Sequence, residues 1–530
     1  MRDGKISLIR QAVRAMLGGL VASLLVVATT PASAQGDDQR AVKARMAGSA
    51  LSWAAENGRL RQFMEAFPKG GDIHSHLRGA IYAESWLEWA AADGLCADMS
   101  VPALRFKVKD SCAASGWLTA GEAQANEDHR RELINSLSNR SYVPTLNWSG
   151  HNDFFATFAR ISASPKRLGD QLANVAARAG RQNILYLELM ETIILPELFP
   201  LLSGTQLSGD LAADYQTLMS GPFGQAMPTL VASARTQIAA ARARKDQLLR
   251  CGTANADAGC GVKIRFLHQV IREFEPAMVY GQMILGWALM KDEPMMLGMN
   301  LVAPEDGRVA LRDYRLHMRM IDHLYTNLGP RNVALHAGEL TMGLVRPKQL
   351  TFHIRDAIEV GHAKRIGHGI AVGYERDSEG LLKKMAEEGI MVEINLTSND
   401  TILGVKGKDH PLVLYRDMLV PYALSTDDEG VSRIDLTHEY MRLYTEHRVP
   451  YFELRHSARN SLTYSFLPGD SLWESEACKK DVETGAQAGA ECAAFLETSE
   501  KAKLQWELEE RLRVFEDERR IPERKRTSFK

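Results

Sequence analysis

The sequence has no excess of charge of either sign. Its 64 lysines and arginines nearly balance its 66 aspartates and glutamates, which leaves a formal net charge of -2. It also has no long basic stripe, and this argues against a nucleic-acid partner or an anionic membrane surface. Beyond the first residues, no stretch approaches 18 uninterrupted apolar positions. The sequence therefore predicts no membrane association once its amino-terminal segment is removed.

Several motifs of known zinc sites are missing as well. No two cysteines stand in C-x-x-C spacing, so a thiolate zinc site is not expected. The paired H-x-E and P-C-x-x-C motifs of cytidine-deaminase-type enzymes are absent. So is the H-E-x-x-H motif of zinc proteases. No internal repeat of fixed period is present.

The first residues are typical of a secretory signal peptide. A basic start precedes an apolar run from about residue 16 to residue 28, which is followed by Pro31-Ala32-Ser33-Ala34. This pattern predicts cleavage after Ala34 and a mature chain of residues 35–530. An uncleaved anchor is the alternative. We expect an exported protein, periplasmic or secreted.

The cysteines are consistent with export. All six lie beyond the signal and form couples that are close in sequence. An even number of cysteines in an exported chain favours disulfides. Other connectivities stay open, and the simplest pairing is Cys96 with Cys112, Cys251 with Cys260, and Cys478 with Cys492.

Short strand-like segments alternate with helical patterns from Gly71 onward. Such an alternation with eight strands predicts an α/β fold, a parallel (β/α)8 barrel of the TIM type. The strands are expected near residues 71–73, 183–189, 262–268, 295–301, 332–336, 365–368, 390–395 and 421–425. Helices are expected over residues 168–181, 314–328, 351–360 and 379–388, among others.

Two spacings between predicted strands are too long for one simple crossover. We interpret residues of about 92–145 and 193–261 as insertions into a single barrel domain, each with one cysteine couple. Within the second insertion, residues 203–228 are rich in Gly, Ser and Thr and predict a loop, and residues 229–249 predict a helix. A helical extension is expected at about residues 468–530, with an apolar stripe packed on the barrel.

Chemically capable side chains cluster at the ends of the predicted strands. His74 and His76 end the first strand and point the same way, since they are two residues apart on an extended chain. His336 ends the fifth strand and Asp427 follows the eighth. Catalytic groups of such barrels lie at the carboxyl ends of the strands. Three imidazoles and one carboxylate, with a position open for water, predict a hydrolytic zinc centre.

Three further polar residues accompany the candidate ligands. Glu339 lies three residues after His336, His368 ends the sixth strand, and Asp428 follows Asp427. A centre that activates water also needs a proton donor, a base and an anchor for the substrate. These three residues are the candidates for those roles.

Five motifs, in this order, resemble those of the adenosine deaminase family of the amidohydrolase superfamily. The resemblance covers about residues 68–467. The segment Phe67-Pro-Lys-Gly-Gly71, the export signal and the insertions are similar to the secreted adenosine deaminase–growth factor branch and its bacterial relatives. The motifs are His74-Ser-His76, Leu335-His-Ala-Gly-Glu339, Arg365-Ile-Gly-His368-Gly369, Thr397-Ser-Asn399 and Ser425-Thr-Asp-Asp428.

The resemblance implies hydrolytic deamination of adenosine to inosine and ammonia, and of 2′-deoxyadenosine to 2′-deoxyinosine and ammonia. It implies that water, activated by zinc, attacks C6 of the purine. His368 would orient this water and act as base, Glu339 would donate a proton to N1, and Asp428 would hydrogen-bond N7. The fourth strand has no lysine that could bridge two metals, which favours one Zn²⁺ per chain. Its ligands would be His74, His76, His336 and Asp427.

Three positions depart from the family pattern, of which Glu429, in place of the proline that often follows the paired aspartates, has no obvious chemical consequence. Ala303 stands where the family usually has a glycine whose backbone N–H meets purine N3, and its methyl group could crowd the pocket. Arg78 stands where relatives often have a small or acidic residue near the 5′ end of the ribose. An arginine there either recognises a 5′ anion or points into solvent, and we favour the second interpretation.

Two other functions remain as alternatives. One is the deamination of another aminopurine, such as AMP or a modified adenine. The other is a growth-factor-like binding protein that no longer uses its site. A binding protein has no need of a proton donor beside a metal, so the presence of Glu339 and His368 favours an enzyme acting on a small purine nucleoside. The oligomeric state is left open, with a homodimer as one option.

Overall fold

Eight parallel strands succeed one another along the chain and form the centre of the molecule. The structure, a computed structural model, describes residues 32–519, so the expected signal peptide lies outside the described residues except for its last three. All eight predicted strands are present. Their bounds are Gly70–His76 (β1), Ile184–Glu191 (β2), Lys263–Ile271 (β3), Met296–Val302 (β4), Ala334–Ala337 (β5), Arg365–His368 (β6), Met391–Ile394 (β7) and Tyr422–Leu424 (β8).

The strands form two hydrogen-bonded groups of four, β1 to β4 and β5 to β8, each in chain order. Two parallel bridges connect the groups, one between Met299 and Val333 and one between Ser75 and Asp427. At the second bridge the N–H of Asp427 donates to the carbonyl of His74, and its carbonyl accepts from the N–H of His76, both at 2.9 Å. The ring of strands therefore closes where the two histidines and Asp427 leave the sheet.

Helices cover the outside of this (β/α)8 barrel. Leu168–Arg181, for example, buries one face, including Leu172, Val175 and Ala179. The strands β5 to β8 are buried along their whole length, as expected for a parallel sheet covered by helices. The other helices of the barrel region are Ala83–Ala92, Pro276–Asp292, Arg308–Leu328, His353–Glu359, Ser378–Glu388, Leu396–Leu403, Leu412–Asp417, Glu429–Ser432, Leu436–His447 and Tyr451–Thr463.

The segment interpreted as the first insertion contains a small antiparallel sheet. Its strand Cys96–Asp98 pairs with both Ala103–Arg105 and Leu118–Thr119. The helices Ala120–Ala125 and Glu127–Ser136 follow, and the helix Gly150–Arg160 comes after them. These strands are two or three residues long, too short to produce a recognisable alternation in the sequence.

The segment interpreted as the second insertion is more helical than predicted. It contains Leu195–Leu202, Leu211–Ser220 and Pro222–Leu248. The prediction of a loop over residues 203–228 is therefore wrong from Leu211 onward. Asp210 caps the helix Leu211–Ser220, and a proline begins the next helix. Both are start signals that the Gly- and Ser-rich composition obscured.

The two ends of the described chain pack together beside the barrel. The amino-terminal helices are Ala32–Glu56 and Leu60–Ala66, and the carboxyl-terminal helices are Glu476–Thr484, Ala490–Thr498 and Glu500–Glu518. Arg459 binds Glu509 through two hydrogen bonds of 2.6 and 2.8 Å, and Arg40 also contacts Glu509. Within residues 32–519, every helix is too short or too polar to cross a membrane.

All three local disulfides predicted from the cysteine couples are present. They join Cys96 to Cys112, Cys251 to Cys260 and Cys478 to Cys492. Three disulfides are typical of proteins that mature in an oxidising compartment.

Candidate functional site

The predicted site residues meet at one end of the barrel. His74 and His76 lie at the end of β1, His336 lies on β5, His368 ends β6, and Asp427 follows β8. All five are therefore at the carboxyl ends of parallel strands, where barrel enzymes bind their substrates.

The donor atoms of four residues converge on one point. His336 Nε2 lies 3.1 Å from His74 Nε2 and 3.2 Å from His76 Nε2. Asp427 Oδ1 lies 3.4 and 3.3 Å from the same atoms of His74 and His76. Ligands about 2.0–2.1 Å from a tetrahedral zinc ion lie roughly 3.3 Å from each other. The four side chains can therefore hold one metal ion of that size.

Each histidine of this group is held at its other ring nitrogen by a side-chain oxygen. The pairs are His74 Nδ1 with Glu393 Oε2, His76 Nδ1 with Gln269 Oε1 at 2.9 Å, and His336 Nδ1 with Asn300 Oδ1 at 2.9 Å. An oxygen in that position accepts the Nδ1 proton and leaves the lone pair of Nε2 free for a metal. The orientation of each ring is thus fixed before any ion binds, with Nε2 facing the position of the metal.

No sequence motif marked Gln269, Asn300 or Glu393 as functional residues. Each is a polar residue on a largely apolar strand, β3, β4 and β7 respectively. A polar side chain on a buried strand needs a partner, and this was the available signal. Which histidine each residue holds depends on the strand register, which the sequence does not reveal.

Burial and neighbouring charges shift the pKa values of the candidate ligand histidines. Burial and the neighbouring His74 and His76 hold the pKa of His336 well below its usual range. Burial also lowers the pKa of His74, but Glu393 and Asp427 outweigh it and raise that pKa to about 10. A metal must therefore displace a proton from His74 when it binds.

Asp428 lies beside the four candidate metal ligands and lines a cavity next to them. A Cβ on Gly79 would fall 1.5 Å from Asp428 Oδ1, so only glycine leaves room for this carboxyl group. Within residues 32–519, Oδ1 is buried without a hydrogen-bond partner. Burial raises the pKa of Asp428 to about 8, and Asp427 adds to the effect. A protonated Asp428 can donate to an acceptor in the cavity, such as a ring nitrogen.

A network of backbone hydrogen bonds positions Glu339. Its N–H donates to Glu305 Oε2 at 2.7 Å, and the N–H of Gly338 donates to Glu305 Oε1 at 3.0 Å. Gly338 has a φ of 75°, which favours glycine. Burial raises the pKa of Glu339 well above its usual range, with contributions from Asp427 and Glu305. A raised pKa favours the protonated form of Glu339, which is the form that a general acid requires.

His368 lies between the metal group and Glu339. Its Nε2 is 4.0 Å from Asp427 Oδ2, and its Nδ1 is 3.6 Å from Glu339 Oε1. The amide nitrogen of Asn399 lies 2.8 Å from Nδ1. Burial lowers the pKa of His368 to about 3, so the ring is neutral.

These residues open onto a cavity of about 740 Å³. Its walls include every predicted site residue except His74, which is fully buried behind His76 and His336. One wall is aromatic and consists of Phe154, Phe155 and Phe158 from the helix Gly150–Arg160. A concave, largely apolar cavity with a few convergent polar groups is typical of a small-molecule site.

Arg78 and Ala303 both line the cavity. The Arg78 side chain is exposed there, and its guanidinium donates to the carbonyl of Ile161 rather than pointing into open solvent. Ala303 adopts a φ of 79°, in the left-handed region where a side chain is strained. The backbone at this position is therefore the one that a glycine would adopt most readily.

Sequence comparison relates part of the chain to known enzymes. Residues 225–474 match the family model described as adenosine deaminase. Adenosine deaminase from Clostridium perfringens is 33% identical over 135 residues, which are 25% of this chain and 37% of that protein. Adenosine deaminase from Plasmodium gallinaceum is 35% identical over 134 residues, which are 25% of this chain and 34% of that protein. The chain thus spans little more than a third of the length of these relatives.

Two solved structures share the fold over most of the chain. Adenine deaminase from Arthrobacter aurescens matches with a TM-score of 0.50 and 15% identity, covering 81% of this chain and 100% of that one. An amidohydrolase from Burkholderia ambifaria, solved with bound Zn, matches with a TM-score of 0.53 and 15% identity. That match covers 86% of this chain and 95% of the other.

Proposed function

We propose that this chain, which carries an adenosine deaminase family domain, is a zinc-dependent hydrolase that converts adenosine to inosine and ammonia, and 2′-deoxyadenosine to 2′-deoxyinosine and ammonia. The observation that supports this most directly is the group of four convergent ligand atoms beside the buried carboxyl of Glu339. Metal ligands alone could serve a structural site. A buried acid next to them, in an open cavity, is what hydrolysis of a C–N bond requires.

His74, His76, His336 and Asp427 would hold the zinc ion. Their donor set of three imidazole nitrogens and one carboxylate oxygen is typical of catalytic zinc, and the amidohydrolase with bound Zn has the same fold. When bound, zinc supplies the Lewis acidity that makes water nucleophilic near neutral pH.

Two carboxyl groups with raised pKa values are the proposed proton donor and substrate anchor. Glu339 lines the cavity and its raised pKa favours the protonated form, so it can donate a proton to N1 of the purine as water attacks C6. Asp428 has a buried oxygen without a partner in the described part of the chain, and in its protonated form it can donate to N7. The backbone N–H of Ala303 remains available to N3, as that of a glycine would be.

We infer that adenosine is preferred to AMP, the main alternative substrate. Arg78, the one predicted residue that could bind a 5′ phosphate, already donates to the Ile161 carbonyl. Glu191 lines the same cavity, and burial raises its pKa to about 7, so it is partly ionised at neutral pH. A carboxylate in the cavity disfavours a phosphate. A neutral nucleoside meets no such repulsion.

A substrate panel with matched arginine variants tests this choice. We expect the kcat/KM for adenosine to exceed that for AMP by about tenfold or more, and Arg78→Ser to change the adenosine value less than about threefold. As a control, Arg105→Ser removes another arginine that donates to a backbone carbonyl nearby, that of Ala159, outside the cavity. A preference for AMP in the wild type that disappears in Arg78→Ser would overturn the proposal, since one charge-assisted contact contributes about 1.5–3 kcal/mol.

We further infer that the protein works outside the cytoplasm as a single catalytic barrel of residues 35–530. The three disulfides and the sequence pattern of residues 1–34 support export. The amino-terminal sequence of the exported protein would test the expected cleavage after Ala34. A chain that retains residues 1–34 would contradict it.

A further inference from the structure

His410 is a buried histidine to which the proposed function gives no role. It is 1% exposed and lies just before the helix Leu412–Asp417. Its Nδ1 is 3.1 Å from the backbone nitrogen of Leu412, which can only donate. Burial lowers the pKa of His410 to about 3, so the ring is neutral. Because Nδ1 accepts, the single ring proton is on Nε2.

That proton sets the orientation of the Asn399 amide. His410 Nε2 lies 3.0 Å from Asn399 Oδ1, so the amide oxygen accepts the hydrogen bond. The amide nitrogen then faces His368 and lies 2.8 Å from its Nδ1. An amide nitrogen donates and does not accept, so Nδ1 of His368 must be the acceptor. The imidazole ring keeps at least one proton, and with Nδ1 as the acceptor that proton is on Nε2.

Other neighbours of His368 do not reverse this assignment. The amide nitrogen of Asn395 lies 3.5 and 3.4 Å from the two ring nitrogens, and so favours neither. Glu339 Oε1 lies 3.6 Å from Nδ1, beyond hydrogen-bond distance. His410, Asn399 and His368 are each at most 1% exposed, so water does not compete for these hydrogen bonds.

We propose that His410, acting through Asn399, is a positioning residue that holds His368 in the tautomer with its proton on Nε2. The catalytic role of this tautomer rests on the proposed function, but the tautomer can be measured whether or not the protein has that function. Nε2 is the ring nitrogen on the side of Asp427. His368 therefore presents an N–H, and not a lone pair, to a water at the site. It orients that water as a donor, which differs from the role of base that the family resemblance implies.

Nuclear magnetic resonance of the zinc-loaded protein with ¹⁵N-labelled histidine measures the tautomer directly. The signals of His368 are assigned by their loss in His368→Gln. We expect the ¹⁵N shifts to report an unprotonated Nδ1 and a protonated Nε2. Asn399→Asp replaces the donor with an acceptor of the same shape, and we expect it to move the proton to Nδ1. An unprotonated Nε2 in the wild type would overturn the inference, whether or not the protein deaminates adenosine.

Activity measurements test whether the arrangement matters for catalysis. We expect His410→Leu to lower kcat for adenosine by about 10- to 100-fold, the usual effect of losing a partner that orients a site residue, with little change in KM. We expect His410→Gln, whose amide can still donate to Asn399, to recover most of the loss. His447→Leu removes the imidazole on the other side of His410, with ring centres 5.7 Å apart, and should stay within about twofold of the wild type. An unchanged kcat and tautomer in a folded His410→Leu would contradict the proposal.

Discussion

Asn300 Oδ1 accepts two hydrogen bonds from a single residue, His336. The backbone N–H of His336 donates at 3.0 Å and its ring Nδ1 donates at 2.9 Å. One oxygen thus fixes both the backbone and the side chain of a candidate metal ligand. The contact joins the neighbouring strands β4 and β5, so the sheet itself sets the direction of the imidazole.

Loss of this oxygen should weaken metal binding. We expect Asn300→Ala to reduce zinc affinity by about 10- to 100-fold, because His336 loses the partner that fixes its tautomer. Asn300→Asp keeps an oxygen in place and should bind zinc nearly as well as the wild type. Competition with a chelator of known affinity measures both variants. Equal affinity of Asn300→Ala and the wild type would contradict the role given to Asn300.

Glu339→Gln should retain the metal and lose most activity. An amide cannot donate an acidic proton, and general acid catalysis contributes roughly 10²–10⁴-fold. Zinc content and kcat are measured on the same preparation. Glu359→Gln, a partly exposed glutamate paired with Arg355, is the control and should be fully active. A loss of less than about tenfold in Glu339→Gln would mean that another group supplies the proton.

Ala303→Gly should not destabilise the protein. A non-glycine residue in the left-handed region costs roughly 1–2 kcal/mol, whereas the extra freedom of glycine in the unfolded chain costs about 0.5–1 kcal/mol. We therefore expect the free energy of unfolding to rise by up to about 1 kcal/mol, with activity retained. Ala334→Gly, in the buried strand β5, should lower it instead. Denaturant titration compares the two, and a clear loss of stability in Ala303→Gly would refute the strain at this position.

Because of His317, we expect the folded protein to lose stability in acid. It is fully buried on the helix Arg308–Leu328, and within residues 32–519 neither ring nitrogen has a hydrogen-bond partner. Burial lowers its pKa from 6.5 to about 4, so the unfolded chain binds a proton that the folded chain does not. Its contribution to stability is complete above pH 6.5 and is lost as the pH falls towards 4.

His317→Leu removes this titration and two unpaired polar atoms. We expect the variant to be more stable than the wild type by about 1–3 kcal/mol at pH 7 and by a larger margin at pH 5. Thermal unfolding at both values measures the difference. A stability gap that does not widen between pH 7 and pH 5 would show that His317 does not titrate as described.

The sequence predicted the strands more completely than their surroundings. Most barrel strands contain a short apolar run with polar residues at its end or just beyond it, and this local pattern located all eight. The local cysteine pairs were also predictable, because partners 9 to 16 residues apart leave few simple alternatives. The helix Leu211–Ser220 was missed because the residues on either side of it are rich in Gly and Ser, although Asp210 provides its N-terminal cap.

The candidate site was likewise predictable from the sequence only in part. His74, His76, His336 and Asp427 stand in short motifs and could be identified one by one. Their partners Gln269, Asn300 and Glu393 come from other strands, and no local pattern reveals which ligand each will hold. His410 is a further case, since it is 42 residues from His368 in the sequence and acts through a third residue. Such contacts depend on strand register and packing, which only the folded chain defines.

The most direct test of zinc-dependent deamination is a zinc titration of the metal-free protein with adenosine as substrate. Metal is removed with a chelator, zinc is returned in steps, and the loss of adenosine absorbance is followed together with the amount of bound metal. We expect negligible turnover of adenosine without metal, and a linear recovery of activity that ends at one zinc ion per chain. Full activity in protein shown to be metal-free would contradict it.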